Sequence, residues 1–395
     1  MFVIYDSKHQ LIPIKVWLQD IDQLEATCLQ QAINLANLPF AKKWIVLLPD
    51  THTGFGMPIG GVLATDNTII PNAVGVDIGC GMTFVQTNIP GYVLTDRQDP
   101  SNALAQRIVD RILAKIPTGF EHHKTIQTCK SVDAFVEQLK TTTDTDSMHL
   151  IDELDKARYQ VGTLGGGNHF IELQTNENGH VAIMIHSGSR NIGYKICNHF
   201  NKRFKQVNIE MKSSIPPSWD LAHLPADSAL GSEYIRWMQF SMAFAKENRA
   251  HMMDVVTDIV YDQTVRYGGF MDITMTEPID CHHNYADLEE HDDQMLWVHR
   301  KGAIHVKKDA IGIIPGAMGS YSYIVKGKGN PESFFSCSHG AGRVMSRKSA
   351  KKQFDVNKTI LDLKDRGVFI GKVKKGDIGE ESRFAYKDID VVIND

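Results

Sequence analysis

No two of the six cysteines (Cys28, Cys80, Cys129, Cys197, Cys281 and Cys337) form a C-x-x-C pair. That excludes a zinc ribbon and a dense disulfide framework. No apolar run is long enough to cross a bilayer. The N-terminal MFVIYDSKHQLIPIKVW meets charge too early for a cleavable leader, so a reducing cytoplasm is the expected location. Positive charge is not in excess either: 42 Lys and Arg against 47 Asp and Glu give a net charge of −5 at pH 7. The global basic field that announces nucleic acid is missing, although a local basic groove would be enough to hold one. Repeats, low-complexity tracts and a linker between halves are absent as well. The chain of 395 residues is long for one domain, since about 150 residues is a usual size. Its polar loops nevertheless read as parts of one site, so a single α+β domain over residues 1–395 is expected.

What is present is a repeated local pattern. WIVLLPDTHTGFGMPIGGVLAT (44–65) reads as a buried strand, a polar glycine-rich loop and a second strand. NTIIPNAVGVDIGCGMTFVQTNI (67–89) repeats it, and VAIMIHSGSR (181–190) and AIGIIPGAMGSYSYIV (310–325) follow the same style. Helical periodicity marks PSNALAQRIVDRILAKIP (100–117) and EYIRWMQFSMAFAKENRAHMMDVVTDIVYDQTVR (233–266). The best loop lies between Val207 and Gly231, within a helical and loop region over about 195–265.

The glycine-rich loops carry the reactive residues. VGVDIGCGM sets Asp77 and Cys80 three positions apart, between Gly75, Gly79 and Gly81. LPDTHTGFG carries Asp50 and His52, LGGGNHFIEL carries Asn168, His169 and Glu172, and IHSGSR carries His186 and Arg190. CHHN holds His282 and His283, and SCSHGAGRVMSR holds His339, Arg343 and Arg347. A lone histidine is most often a satisfied core or surface residue, and a lone Cys is most often packing. Several together, after strands and among glycines, sit where binding residues concentrate. Asp77, Cys80, His169, His186 and His283 offer too many ligands for one tetrahedral ion. They suit two divalent cations sharing the sulfur, the usual apparatus for an in-line phosphoryl displacement.

PDTHTGFGMPIGG, VGVDIGCGM, LGGGNHFIEL, HSGSR, CHHN, RKGA, IIPGAMG and SCSHGAGRVMSR follow one another between about Trp44 and Asp390. In that order they resemble the successive motifs of the RtcB family, GTP-dependent 3′-phosphate RNA ligases of the tRNA-splicing type. The resemblance implies mixed and antiparallel sheets flanked by helices around a dimetal cleft. It implies two Mn²⁺ ions bridged by Cys80, one also held by Asp77 and His169, the other by His186 and His283. His283 is taken over His282 because the family ligand directly precedes an Asn, here Asn284. His339 is the implied nucleophile, attacking the α-phosphate of GTP to form a histidine–GMP phosphoramidate, with Asp50 and Lys301 also catalytic. The implied nucleotide contacts are Asn168, Phe170, Glu172, Ala317, Ser322, Gly340, Ala341, Gly342 and Tyr386. Among these, Glu172 accepts hydrogen bonds from the guanine edge that adenine lacks. Arg190, Arg300, Lys301, Arg343 and Arg347 are the cations implied along the RNA-end groove.

The residues themselves agree on His339. A neutral imidazole is a competent nucleophile near neutral pH, and the glycines after it let main-chain N–H groups approach a phosphate. Cys337 is the rival, as a low-pKa thiolate, and is expected on the opposite face of the strand. Two departures from the family pattern stand out. Ala317 replaces the serine of PGSMG, removing one hydrogen bond worth about 0.5–1.5 kcal/mol. The sequence ends at VVIND, where family members usually continue to a lysine that reaches the guanine; Lys387 of AYKD is not taken as its replacement. The expected reaction joins 2′,3′-cyclic-phosphate or 3′-phosphate RNA ends to 5′-hydroxyl ends, converting GTP to GMP and pyrophosphate, in RNA repair or tRNA splicing. A monomer or weak dimer without membrane contact is expected, with an archease-type activator as a partner to consider. The competing readings are a dimetal phosphoesterase that has lost ligation and a nucleotide- or RNA-binding module without turnover.

Overall fold

The computed structural model describes residues 1–95, 104–142, 146–371 and 375–395. Two sheets position the loops of interest. In chain order their strands are β1 (Phe2–Ile4), β2 (Ile14–Val16), β3 (Ala41–His52), β4 (Ile59–Thr65), β5 (Gly81–Pro90), β6 (Phe170–Thr175), β7 (His180–Ser187), β8 (Ile279–His282), β9 (Asn284–His291) and β10 (Gln294–Lys301). The larger sheet runs β1-β2-β3-β4-β10-β9 and the smaller β8-β5-β7-β6. Only β2 and β3 pair in parallel; the other pairings in the two sheets are antiparallel. Two hairpin-like pairs complete the site region: β11 (Ala303–His305) with β14 (Ser336–Ser338), and β12 (Ile311–Ile314) with β13 (Tyr323–Lys326).

The apolar run of β3 is continuous because the strand is covered on both faces. Ile45 and Leu47 pack with Cys28, Ala32, Leu35 and Ala36 of helix α1 (Ala26–Ala36). Val46 and Leu48 face the other way, against Val62, Ala64, Val298 and Phe334. The smaller sheet divides likewise. Val85, Ile89, Val181, Ile183 and Ile185 pack on helix α2 (Leu104–Lys115) and on the second half of a longer helix. Met82, Phe84, Ala182 and Met184 turn instead toward Phe170 and Ile313. Each Val, Leu, Ile, Met or Phe among them contributes about 1.5–3 kcal/mol when fully buried.

The expected loop at 207–231 is shorter than read. Helix α3 (Arg190–Glu210) runs on through Val207–Glu210, and helix α4 (Ala229–Gln263) has already begun at Ala229. The chain leaves α3 only when Lys212 takes a left-handed φ of 51°. Helix α2 begins at Leu104 within the expected 100–117 segment, and residues 100–103 lie outside the described residues. Among the described residues no helix is long and apolar enough to cross a membrane.

One junction matters most. β8 belongs to the smaller sheet and β9 to the larger, with His283 alone between them. The His283 N–H donates to the Cys80 carbonyl at 2.8 Å, and the Gly79 N–H donates to the Asn284 carbonyl at 2.7 Å. The strand that changes sheets is thereby stitched to the VGVDIGCGM turn.

Candidate metal centre and nucleotide site

Two groups of donor atoms share Cys80: one comprises Asp77, Cys80 and His169, the other Cys80, His186 and His283, the atoms of each lying within 4.8 Å of one another. Cys80 Sγ is 3.3 Å from the Nε2 atoms of both His169 and His186. His186 Nε2 lies 3.4 Å from His283 Nε2, and His169 Nε2 lies 2.9 Å from Asp77 Oδ2. His186 Nδ1 donates to the Asn168 carbonyl at 2.9 Å, which fixes the tautomer and leaves Nε2 a bare lone pair. Burial, then the neighbouring imidazoles, hold His186 and His283 well below the usual histidine range. Burial and the Asp77 charge push the Cys80 thiol up. Lone pairs therefore converge here with no positive side chain among them. That donor set fits divalent cations, whose charge would hold the sulfur as thiolate.

The backbone around the donors leaves little freedom. A Cβ on Gly188 would stand 2.2 Å from Asp77 Oδ1, and one on Gly165 would stand 1.8 Å from His169 Nδ1. The Ser189 N–H, at the N-terminus of α3, donates to Asp77 Oδ1 at 3.1 Å, where a helix favours negative charge. Two residues that sequence reasoning passed over hold the frame. Fully buried Arg249 of α4 grips Asp280 through Nε and Nη2, both at 2.7 Å, and reaches the carbonyls of Gly79 (3.0 Å) and Ser187 (2.9 Å). Asn248 beside it accepts from the Thr163 N–H and donates to the Gly188 carbonyl. The available signal was an Asn-Arg pair on an otherwise apolar helix face, since a fully buried Arg is rare unless paired. Arg249 also touches His282, whose Nδ1 lies 2.9 Å from the Gly79 carbonyl. His282 thus faces away from the donor cluster, and burial lowers it to about 4.

His339 stands beside this cluster, its ring centroid 4.7 Å from that of His283. Its Nδ1 lies 2.6 Å from Oδ2 of Asp50, a residue with no solvent exposure, and its N–H donates to the same oxygen at 3.1 Å. Burial would raise the Asp50 carboxyl, but the charge and hydrogen bond of His339 outweigh it and hold Asp50 low. Gly342 has φ +72°, and a Cβ there would come within 2.3 Å of the Asp50 carbonyl. Cys337 is no competitor: burial, followed by the Asp50 charge, pushes its thiol far up. The expected separation of the two on opposite faces was mistaken in its reason, because residues two apart on a strand share a face. They part because β14 ends at Ser338. Cys337 packs with Ile314, Ala341, Ile389 and Val392, while His339 turns to Asp50.

Phe170, Glu172 and Gln174 alternate along β6 and share one face. Gln174 Nε2 donates to Glu172 Oε2 at 2.8 Å and to Ser322 Oγ at 3.0 Å. Ser322 Oγ also accepts from the Gly316 N–H at 3.3 Å, next to Ala317 in the β12–β13 loop. Burial raises the Glu172 carboxyl to about 7. Among the described residues the side-chain donor it meets, Gln174, is neutral.

Three of the expected RNA-end cations are engaged by groups of the protein itself. Arg300 is fully buried, with both Glu289 oxygens, Ser336 Oγ (2.9 Å) and the Phe334 carbonyl (2.8 Å) as partners. Lys301 donates to the carbonyls of Phe55 (2.6 Å) and Asn72 (3.0 Å), and burial lowers it to about 8. The period-two alternation of β10 sends this adjacent pair to opposite faces of a sheet covered on both sides, so neither reaches a groove. Lys301 thus braces the 53–57 loop from beneath through its bond to Phe55. Arg343 is occupied by Glu381, the Glu380 carbonyl (2.6 Å), the Met345 carbonyl (3.1 Å) and the Tyr386 hydroxyl (2.8 Å). Tyr386 bonds Glu381 in turn, so its hydroxyl is taken. Lys387 donates to the Pro49 and Thr51 carbonyls at 2.9 and 2.8 Å, bracing the backbone on either side of Asp50. Arg190 and Arg347 lie beside the LGGGNH loop, but Arg347 Nη1 is also 3.3 Å from a Glu381 carboxylate oxygen and 3.9 Å from one of Glu380. Of the expected arginines, Arg190 alone has no carboxylate partner among the described residues.

A mixed O/S/N donor cluster lies beside a carboxylate-paired histidine, and its donor set is of the kind a metal-dependent enzyme uses. The family model described as "tRNA-splicing ligase RtcB" matches residues 31–395. The RNA-splicing ligase RtcB of Escherichia coli K12 is 38% identical over 393 residues, covering 96% of this chain and 92% of the relative. The RNA-splicing ligase RtcB of Mycobacterium tuberculosis is 31% identical over 418 residues, at 92% and 94% coverage. The tRNA-splicing ligase RtcB of Pyrobaculum aerophilum is 29% identical over 455 residues, at 97% and 90% coverage. The chain belongs to the RtcB family.

Proposed function

We propose that this protein is a GTP- and Mn²⁺-dependent RNA ligase that joins 3′-phosphate or 2′,3′-cyclic-phosphate ends to 5′-hydroxyl ends. The observation that carries the reading is the Asp50–His339 pair beside the donor cluster. Asp50 holds the proton on Nδ1, so Nε2 presents its lone pair. Nε2 bonds to the α-phosphorus of GTP while the bond to pyrophosphate breaks, and the buried carboxylate offsets the positive charge left on the ring. A 2′,3′-cyclic end is first opened by water, which adds to phosphorus as the P–O2′ bond breaks. An oxygen of the resulting 3′-phosphate then attacks the guanylyl phosphorus, and the bond to His339 Nε2 breaks to free the imidazole. Finally the 5′-hydroxyl oxygen attacks the phosphorus of that activated 3′-phosphate, loses its proton, and GMP departs. Asp77, Cys80, His169, His186 and His283 would hold the two divalent cations, which supply charge neutralisation on the phosphoryl oxygens when bound.

Glu172 selects the base in this reading. A desolvated carboxylate without a cationic partner gains most from a ligand edge that presents two N–H donors, as guanine does and adenine does not. Phe170 would floor the base recess and Asn168 would meet the phosphates from the exposed end of the glycine loop. The reaction would serve RNA repair or tRNA splicing in the cytoplasm.

The test is incubation with α-labelled GTP and Mn²⁺ without RNA. Label should become covalently attached, vanish in mild acid, survive alkali and persist in Cys337→Ala. Label retained by His339→Ala would overturn the assignment. A protein that cleaves phosphoesters but never acquires label would be the phosphoesterase instead.

A further inference from the structure

The glycine loop that precedes Asn168 and His169 is flanked in a way that the guanylyl-transfer chemistry does not use. Gly166 and Gly167 are exposed. A Cβ on Gly167 would meet Arg347 Nη1 at 2.3 Å, and one on Gly165 would meet Arg190 Nη1 at 2.8 Å. A Cβ on Gly166 would reach only the Cα of Gly119, at 3.9 Å. Two guanidinium groups and the Thr118–Glu121 turn therefore bracket three successive glycines. At the head of that turn stands Phe120, whose ring is fully exposed to solvent.

A single exposed aromatic needs no explanation by itself. This one is different because its backbone is held. The Gly119 N–H donates to the Leu164 carbonyl at 2.9 Å, the Leu164 N–H to the Pro117 carbonyl at 2.9 Å, and the His123 N–H to the Tyr159 carbonyl at 2.9 Å. Arg190 Nη2 donates to the Gly119 carbonyl at 2.7 Å and its Nε to Thr163 Oγ1 at 3.0 Å. Arg190 makes these bonds from a left-handed φ of 58°. Among the described residues no carboxylate pairs with it. The backbone that presents the exposed ring is thus held, while a cation without a carboxylate partner among the described residues lies under the same turn. An aromatic face beside a backbone-lined cationic track is how single-stranded nucleic acid is held: phosphates on the charges, a base on the ring.

We propose that Phe120 is a stacking platform for a nucleobase of the RNA strand close to the ligation junction, with Arg190 on the adjoining phosphate. The assignment rests on the ligase reading given above. The shared chemistry is a purine or pyrimidine face, supplied by either the 3′-phosphate strand or the 5′-hydroxyl strand.

Steady-state ligation with Phe120→Ala should raise KM for RNA by about tenfold or more, the usual loss for one stacked base, with a smaller change in kcat. Phe120→Trp should restore the wild-type value. Labelling of His339 by GTP in the absence of RNA involves no base at this place and reads the ligase proposal separately. If the wild-type protein never takes label, the ligase reading fails; if it labels and Phe120→Ala keeps the wild-type KM, the platform fails. A 2-aminopurine placed at the second or third nucleotide of either strand identifies the source. Fluorescence quenched on binding wild type, but not Phe120→Ala, on one strand assigns the stacked strand. Equal quenching by both proteins on both strands overturns the platform and leaves the ring to a protein contact.

Discussion

Two buried polar clusters flank the strand that delivers His339, and they differ in how their charges are balanced. In the first, Asp77, Cys80, His169, His186 and His283 bring their donor atoms together in two groups that share Cys80, with no cationic side chain of the described residues in either group. In the second, Glu289, Arg300, His291 and Ser336 are as deeply buried, but every charge is answered. Arg300 holds both Glu289 oxygens, and His291 Nε2 lies 3.1 Å from the same carboxylate. The two share burial and polarity and differ in balance. Imbalance marks a place waiting for a ligand, whereas balance marks a structural ion pair.

The sharpest way to break the comparison is to remove the atom common to both donor groups. Cys80→Ala should lose both cations by elemental analysis and abolish covalent labelling by GTP. Unchanged metal stoichiometry would show that the sulfur is no bridge. Next in size is Asp50→Asn, which keeps the shape but not the charge that fixes the Nδ1 proton. Single-turnover labelling should slow by about 10²–10⁴-fold, the range for losing a positioned proton-transfer partner, while metal content stays at the wild-type level. A rate within a few-fold of wild type would show that Asp50 only packs.

Glu172→Gln comes third and can be read without RNA. Selection of GTP over ATP in covalent labelling should fall by about 10–100-fold, as expected when a charged acceptor of hydrogen bonds is lost. The same variant carries a pH signature. In the fold the Glu172 carboxyl sits at about 7, against an ordinary value of 4.5. Between those values the folded state holds a proton that the unfolded state has released, so this group's contribution to stability falls as pH rises toward 7. The glutamine, which never ionises, should unfold at a higher temperature than wild type above pH 7 and at the same temperature below pH 4.5. Parallel melting curves across that range would place Glu172 in a solvated setting.

The sequence was most readable where function demands particular residue types at particular spacings. Asp77, Cys80 and the histidines could be named from their glycine-fenced motifs, and the structure brings those five together. The strand–loop–strand unit at 44–65 was also readable, because buried central strands are continuous in apolar residues, whereas the strand within 181–190 runs straight into helix α3 instead of a second strand. What sequence could not show was where a cation points. RKGA reads as two charges near a site, yet β10 is buried on both faces and each is consumed by carbonyls or by Glu289. Arg249 was hidden for the opposite reason. It sits in the middle of a long amphipathic helix, where an arginine normally reaches water, and only the packing of α4 beneath the Gly79 turn makes it a clasp.

The smallest expected effect on RNA handling comes from the second cluster. Arg300→Met leaves the Glu289 carboxylate buried without its partner, which costs about 3–5 kcal/mol. Thermal unfolding should therefore begin at a clearly lower temperature. Arg300 has no solvent exposure and all of its bonds go to Glu289, Ser336 and Phe334, so the protein that remains folded should bind and ligate RNA with a KM within about twofold of wild type. Adding Glu289→Met removes the stranded charge, and the double variant should recover much of the lost stability, since apolar replacements of a whole buried pair are often neutral. A rise in KM as large as that of an RNA contact, with unfolding unchanged, would place Arg300 in the groove after all and erase the distinction between the two clusters.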